Sequence, residues 1–180
     1  MSRKFLNINY LSEGNPIQRQ AFSTIQAYKL WDILAPFDPV LAGTIPIEIN
    51  VSNSDLDVLC CAADLELFEA LIQESFSEMP DFTLHKGTIR EEPFVLCTFQ
   101  TNYFPIEIFA QHIPSVQQFA FRHLLIEHYL LEKHGPNFKA KIVALKEQGV
   151  KTEPAFAQLL GLDGDPYMAL LQFEREMKKR

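Results

Sequence analysis

Two aspartates one residue apart are the first residues of this sequence whose types and spacing could do chemistry. Asp55 and Asp57 lie in the stretch SDLDVLC, where Leu and Val occupy the neighbouring positions. In a β-strand, residues i and i+2 project from the same face, so both carboxylates project together. Two adjacent carboxylates raise each other's proton affinity, and a divalent cation removes that conflict. The pair therefore predicts a Mg²⁺ site.

A third acid and a glycine turn extend this candidate site. Glu107 is a single acid in the apolar stretch FPIEIFA, and a strand paired beside the Asp55 strand brings its carboxylate to the same ions. Upstream, Gly43 and Thr44 form a predicted turn, in which glycine lets the backbone approach a phosphate and the hydroxyl adds a hydrogen-bond donor. Two Mg²⁺ ions held by such acids clamp the attacking and leaving oxygens of an in-line displacement. The whole set predicts phosphoryl transfer.

Several basic residues downstream have two possible roles. Arg122 and His123 lie on a predicted long helix, where a surface salt pair or a satisfied histidine competes with contact to the nucleotide. The lysines over 139–151 form either a solvated helix face or a contact that neutralises a leaving pyrophosphate. Lys151 is the best placed, because Thr152 can cap the following helix and a helix N-terminus receives anions. The histidines lack the H-E-x-x-H spacing of a zinc site.

The elements that must position these residues follow from hydrophobic periodicity and turn residues. The predicted elements are, in order, a helix over 16–34, strands over 40–41, 45–51 and 55–61, a helix over 64–80, strands over 82–85, 94–100 and 104–109 joined by turns at KGTIREE and TNY, and helices over 113–133, 137–148, 153–160 and 166–178. This order predicts an α+β fold, a mixed sheet flanked by helices with an all-helical C-terminal part. Residues 1–112 form the predicted core and 113–180 a helical region packed on it, unless 1–180 is one domain.

Composition is that of an ordinary globular protein. The chain has 180 residues, 47% of them hydrophobic and 22% charged, and its net charge is −7. Nucleic-acid binders usually have a basic surplus, so a small-molecule or protein acceptor is favoured over a nucleic acid. The three cysteines lie in apolar runs and predict buried free thiols. Without a signal-peptide pattern or an apolar run of membrane length, we expect a cytoplasmic protein that does not act in a membrane.

The turn, the acidic pair and the later acid resemble the pattern of one enzyme superfamily. Ala42-Gly43-Thr44, Asp55-Leu56-Asp57-Val58 and Glu107 resemble the nucleotidyltransferases, which include DNA polymerase beta and the kanamycin and lincosamide nucleotidyltransferases. Thr44 stands where serine is usual, and IPIEINVSN occupies an interval where many members place a short helix. Four longer strings resemble the bacterial family called domain of unknown function 4269: YLSEGNPIQRQA, GTIPIEI…SDLDVLC, IEIFAQHIPSVQQFAFRH and GVKTEPAFAQLLGL.

The resemblance implies a nucleotidyltransferase-like fold and a reaction. A nucleoside monophosphate passes from a nucleoside triphosphate to an acceptor hydroxyl, and pyrophosphate leaves. Two Mg²⁺ ions are the implied cofactors. The residues assigned to metal binding and catalysis are Asp55, Asp57 and Glu107, and those assigned to the nucleotide are Gly43, Thr44, Arg122 and Lys151.

Two other functions stay open at this point. A catalytically inactive module on the same fold would bind a nucleotide or a protein partner without turnover. A structural protein would bind no ligand, and its melting temperature would not respond to metal ions.

Overall fold

A five-stranded mixed sheet organises residues 3–177, the part of the chain that the computed structural model describes. Its strands are β1 (Val40–Leu41), β2 (Leu56–Cys61), β3 (Thr83–Ile89), β4 (Glu92–Gln100) and β5 (Pro105–Gln111). They lie in the order β1-β2-β5-β4-β3, and β2 and β5 are parallel, whereas the other neighbours are antiparallel. The mixed sheet and its flanking helices confirm the predicted α+β class.

The helices precede, interrupt and follow the sheet. They are α1 (Pro16–Ala27), α2 (Leu30–Leu34), α3 (Leu65–Phe76), α4 (Phe119–His134), α5 (Pro136–Glu147), α6 (Thr152–Leu160), α7 (Pro166–Leu170) and α8 (Glu174–Met177). From α4 onward the described chain is helical, as the sequence predicts. None of the helices among residues 3–177 combines the length and the apolar character needed to cross a membrane.

Two apolar cores lie on opposite faces of the sheet. The first contains residues of α1, α2 and α3 against one face of β2, which includes Leu56 and Val58. The second contains residues of α4, α5, α6 and α7 against the other face, which includes Leu59. Because successive strand residues alternate between faces, Asp57 shares the face of Leu59 and points toward the C-terminal helices. The division of the chain into two domains near residue 112 stays a prediction.

The cysteines agree with the sequence analysis, and the first long helix begins at a side-chain cap. All three cysteines are free; Cys60 and Cys97 are buried and Cys61 is half-buried. At the start of α1, Asn15 Oδ1 accepts a hydrogen bond from the Gln18 N–H at 2.9 Å, and Gln18 Oε1 accepts one from the Asn15 N–H at 3.1 Å. This reciprocal pair is a capping box, which satisfies backbone donors that the first helical turn leaves open.

The predicted strand over 45–51 is wrong. Residues 45–48 form turns, with Glu48 in the left-handed region at φ 60°, and the Ile49 N–H donates to the Thr44 carbonyl at 3.1 Å. The alternate isoleucines of this segment are buried in the two cores, which explains the alternation in the sequence. A loop that enters the core thus imitates the period of a strand.

The predicted boundaries of three helices also need correction. The helix over 16–34 breaks at Lys29, whose left-handed φ of 52° turns the chain between α1 and α2. The helix predicted from residue 113 begins at Phe119, because a 3-10 turn over Ser115–Gln117 follows Pro114. The last predicted helix breaks at the 3-10 turn Leu171–Phe173, and its final residue, 178, lies outside the described residues.

The hairpin between β3 and β4 is tighter than the sequence suggests. The stretch KGTIREE was assigned to a turn, yet its first four residues belong to β3. Only Arg90 and Glu91 form the turn, with φ values of 52° and 69°. Two consecutive left-handed residues are the mark of a type I′ hairpin turn. The longer hairpin carries Arg90 to the end of the sheet that faces α4.

Candidate functional site

Parallel pairing of β2 with β5 brings the three predicted acids together. Asp57 lies directly opposite Glu107 in the strand register, and Asp55 immediately precedes β2. Each of the three side chains has a carboxylate oxygen that lies within 4.8 Å of one from each of the others. All three residues are half-buried, so the cluster is open to a ligand. The convergence that the sequence suggests is therefore present in the fold.

Gly43 lies against the carboxylate of Asp57. Its φ is 72°, and a Cβ atom at this position would overlap Asp57 Oδ2. The neighbouring Ala42 N–H donates to the Asp57 carbonyl at 2.8 Å, which fixes the turn beside β2. Glycine is needed here both for the backbone conformation and for the close approach.

Hydroxyl groups hold the loop between this turn and β2. The Val51 N–H donates to Ser54 Oγ at 2.9 Å, and Ser54 Oγ lies 3.2 Å from Thr44 Oγ1. Ser54 directly precedes Asp55, so the same bonds position the first acid. Ser54 is not among the predicted site residues, although it directly precedes the acidic pair in the stretch SNSDLD.

A cleft of about 620 Å³ opens above the acids, between the sheet and the C-terminal helices. On the sheet side it is lined by the acids, Gly43 and Thr44. The helical side is lined by both acidic and basic residues, among them His123, Glu127, Lys146, Lys151, Thr152 and Glu153. The sheet thus contributes negative charge, whereas both lysines of the lining come from the helical part.

Without a cation, burial and mutual repulsion favour the protonated form of two of these acids, so a divalent ion that binds here displaces protons. Burial raises the pKa of Asp57 to about 8, and the carboxylates of Asp55 and Glu107 add to the shift. Burial and Asp55 also raise the pKa of Glu107. Among the described residues, no basic side chain lies within salt-bridge distance of these carboxylates. A set of oxygen donors without a cation of its own fits a hard divalent ion such as Mg²⁺.

A second group of titratable residues lines the helical wall. His123 Nε2–H donates to the Tyr167 carbonyl at 2.9 Å, and His123 Nδ1 lies 3.4 Å from Glu153 Oε1. Burial raises the pKa of Glu127 well above its ordinary range, and Glu153 adds to the shift. Burial lowers the pKa of Lys146, although Glu127 and Glu153 oppose the change. The His123 contacts tie α4 to α6 and α7, and the charges of Glu127, Lys146 and Glu153 influence one another across α4, α5 and α6.

The remaining predicted residues divide between the cleft and the surface. Lys151 lines the cleft and is exposed, which leaves its ammonium group available to a ligand. Arg122 does not line the cleft in the described structure: its Nε and one Nη donate to the two carboxylate oxygens of Glu174 at 2.6 and 3.0 Å. That pair joins α4 to α8, so Arg122 forms a salt pair, the first of the two roles considered for it, and not a contact in the cleft. Lys139 likewise pairs with Glu48 at 3.0 Å.

Sequence reasoning left Glu127, Glu153 and Tyr167 out of the site. Each lies on a C-terminal helix or at its start, and their convergence depends on how those helices pack on the sheet. The signal that could have found Glu127 is an acid in the apolar run LLIEHYLL, one helical turn after His123.

The sheet order, the parallel pair that bears the acids and the helices on both faces define a nucleotidyltransferase fold. Solved structures agree: this chain resembles a structure of Cid1 described for its RNA terminal uridylyl transferase activity, at 13% identity and a TM-score of 0.53, over 77% of this chain and 45% of that chain. By sequence, the chain belongs to the family Domain of unknown function (DUF4269), whose model matches residues 23–173. No curated protein matches the sequence.

Two further structures show the same fold. Cid1 poly(U) polymerase with bound Mg 3′-dATP matches at 14% identity and a TM-score of 0.54, over 77% of this chain and 45% of that chain. The GLD-2/RNP-8 complex matches at 10% identity and a TM-score of 0.54, over 83% of this chain and 59% of that chain. The chain therefore spans about half the length of the structures that it resembles.

Proposed function

We propose that this protein is a metal-dependent nucleotidyltransferase, which moves a nucleoside monophosphate from a nucleoside triphosphate to an acceptor hydroxyl. The observation that supports this function best is the meeting of Asp55, Asp57 and Glu107 within 4.8 Å at the floor of an open cleft. The likeness to Cid1 and GLD-2 supports the fold, and the cluster supports the chemistry.

The acids and the glycine turn have distinct roles in this proposal. Asp55 and Asp57 hold two Mg²⁺ ions, and Glu107 completes the set on the neighbouring strand. When bound, the ions neutralise charge on the triphosphate and lower the pKa of the attacking hydroxyl. The Gly43 backbone and the Thr44 hydroxyl bind the β- and γ-phosphates, because an unhindered backbone turn can accept an anion closely.

The lysines of the helical wall face the same triphosphate. Lys146 and Lys151 line the cleft opposite the acids. An ammonium group there stabilises the negative charge that develops on the departing pyrophosphate. Lys146 is half-buried and feels the negative charges of Glu127 on α4 and Glu153 on α6, whereas Lys151 is exposed at the N-terminus of α6. Arg122 has no part in this proposal, since Glu174 already neutralises it.

Pyrophosphate release tests the proposal. The protein is incubated with each of the four nucleoside triphosphates, MgCl₂ and a panel of hydroxyl-bearing acceptors, and pyrophosphate is measured by a coupled assay. Asp57→Asn is expected to lower the rate by about 10²-fold or more, because it removes charge where the reaction needs it. Asp163→Asn, in an exposed loop, is the matched control and should keep the full rate.

Two results would separate the alternatives. Nucleotide binding without release of pyrophosphate across the panel would favour a binding module on the same fold. Release that survives in Asp57→Asn, with the variant pure and folded, would contradict the assignment of the acids.

A further inference from the structure

A second cavity, of about 410 Å³, adjoins the cleft on the far side of the acids. It shares Asp57, Glu107, Ala120 and Tyr167 with the cleft, so the two spaces meet at two carboxylates of the cluster. Gly43, Thr44 and the two lysines line the first space only. A molecule in the second cavity would therefore reach the acids from the side opposite the proposed triphosphate.

Apolar and aromatic side chains form most of this cavity. Leu59 and Phe109 lie on the sheet side, and Phe119 lies on α4. Ile89, at the end of β3, and Ile113, in the segment before α4, also line the cavity. Cavities of this size and character usually take a small molecule, with a few polar groups that fix its orientation. A nucleic-acid strand would need a longer, basic groove, whereas Arg90 is the only basic residue among the described residues that line this cavity.

One cation stands in this wall without a carboxylate partner. The Arg90 guanidinium carbon lies 3.7 Å from the centroid of the Phe119 ring, so the group stacks on the aromatic face. Its other polar contact is to the Met168 sulfur at 3.9 Å, and no described carboxylate lies within salt-bridge distance. Arg122, which is also close to Phe119, is by contrast neutralised by Glu174. Arg90 is therefore available to an anionic group.

Gln118 supplies a second polar feature of the same wall. The residue is buried, and its Nε2 donates to the carbonyls of Cys60 at 2.7 Å and Ile113 at 2.9 Å. Both donor hydrogens are used, and Gln118 Oε1 has no hydrogen-bond partner among the described residues. Buried polar atoms are normally satisfied, so Gln118 Oε1 is an unpaired acceptor in a residue that lines the cavity.

We propose that this second cavity is the acceptor subsite, and that the acceptor is a small hydroxyl-bearing molecule with an apolar ring and a carboxylate. The inference rests on the proposed function. The acceptor oxygen forms a bond to the α-phosphorus of the nucleotide, and the bond from that phosphorus to the bridging oxygen of pyrophosphate breaks. The hydroxyl proton passes to the Glu107 carboxylate and then to water. The carboxylate of the acceptor pairs with Arg90, and its ring lies on the apolar wall.

Binding of defined probes, without metal or nucleotide, tests the subsite. The probes are 3-hydroxybenzoate, 4-hydroxyphenylacetate and 4-hydroxycyclohexanecarboxylate, each with its neutral amide, and a hexameric oligoadenylate RNA. Affinity is measured by calorimetry and by saturation-transfer NMR. At least one acid should bind about tenfold more tightly than its amide, as one charge-assisted pair implies. In Arg90→Gln, which alters an exposed side chain, the acid and the amide should bind alike.

Two further variants give the test its controls. Phe119→Leu should weaken the acid and its amide together, because it removes the aromatic wall from both. Arg19→Gln, at an exposed arginine outside both cavities, should leave every affinity unchanged. Binding of a fluorescent ATP analogue with Mg²⁺ should be the same in Arg90→Gln as in the parent protein.

The outcomes separate this inference from the function on which it rests. If none of the acids binds, or if Arg90→Gln binds the acid as well as the parent does, the inference is overturned. It is also overturned if the RNA is elongated while the acids neither bind nor react. If an acid binds but no acceptor releases pyrophosphate, the proposed function falls, and the acceptor role falls with it.

Discussion

At the scale of single residues, Glu127 is an acidic side chain buried in the helical wall of the cleft. It is 4% exposed, and burial raises its pKa far enough to keep the carboxyl protonated where a free glutamate is ionised. Glu153 on α6 adds to this effect, and Lys146 on α5 opposes it. His123, one turn earlier on α4, faces the same group of residues through Glu153.

The folded state should therefore lose stability as pH rises from near 4.5, the ordinary glutamate value, through the raised pKa of Glu127. Glu127→Gln mimics the protonated form and should remove this loss. As pH rises inside that window, we expect the unfolding free energy of the variant, relative to that of the parent protein, to increase by up to about 1.4 kcal/mol per pH unit. Urea denaturation at pH 5, 6, 7 and 8 measures the difference.

The control for this prediction is Glu74→Gln, at an exposed residue of α3 that forms no ion pair among the described residues. Its unfolding free energy should run parallel to that of the parent protein. A Glu127→Gln variant that is less stable at every pH would instead show that Glu127 is ionised and paired with Lys146.

Local patterns predicted the part of the site that lies on the sheet. The spacing of Asp55 and Asp57 is enough to place both before or on one strand face, and Glu107 is conspicuous as a lone acid in an apolar strand. Gly43 follows from the need for a close backbone approach. The same patterns do not predict whether Arg122 or Lys146 lines the cleft, because the direction of a helical side chain depends on how the helix packs. One pairs with Glu174 and the other faces the acids.

At the scale of elements, the β3–β4 hairpin shows a conflict between sequence and conformation. Arg90 and Glu91 both have left-handed φ values, a conformation that costs a non-glycine residue roughly 1–2 kcal/mol. Asn-Gly is the usual sequence for such a turn. The absence of that signature is the reason why the turn was predicted over the longer, charged stretch KGTIREE.

Glu91→Gly should therefore stabilise the protein. We expect the free energy of unfolding to rise by roughly 0.5–1 kcal/mol, because relief of the strained backbone exceeds the entropy that glycine adds to the unfolded chain. Urea denaturation provides the measurement. Glu92→Gly, one residue later in β4, should destabilise the protein, and a similar loss in Glu91→Gly would show that the turn is not strained.

The element order was predictable, whereas several boundaries were not. Hydrophobic periodicity indicates burial, and Ile45, Ile47 and Ile49 are all buried without pairing as a strand. Backbone hydrogen bonds depend on partners far away in the chain, which a local pattern does not contain. Caps are different, because the Asn15 box is complete within four consecutive residues.

At the scale of the whole molecule, ion binding should stabilise the fold. Mg²⁺ or Mn²⁺ at about 100 times the dissociation constant adds about 2.7 kcal/mol to the free energy of unfolding, which raises the melting temperature by roughly 5–10 °C. Differential scanning fluorimetry with and without the ions measures the shift.

The acids should be responsible for this shift. Asp57→Asn is expected to abolish most of it, and Asp163→Asn should retain it in full. An equal shift in both variants would place the ions elsewhere on the acidic surface, and no shift in the parent protein would favour the structural function.

The clustered acids and the lysines of the cleft come from different parts of the chain, so a protein cut between these parts would lack a complete cleft in either piece. Every carboxylate of the acidic cluster comes from the sheet part, and both lysines of the lining come from the helical part beyond residue 113. Two separately expressed pieces, joined only by contact, would each expose one half of the second apolar core and would each be inert. Activity would then report reassembly of the pieces, so the connection near His112 is a natural place to split this protein for a complementation assay.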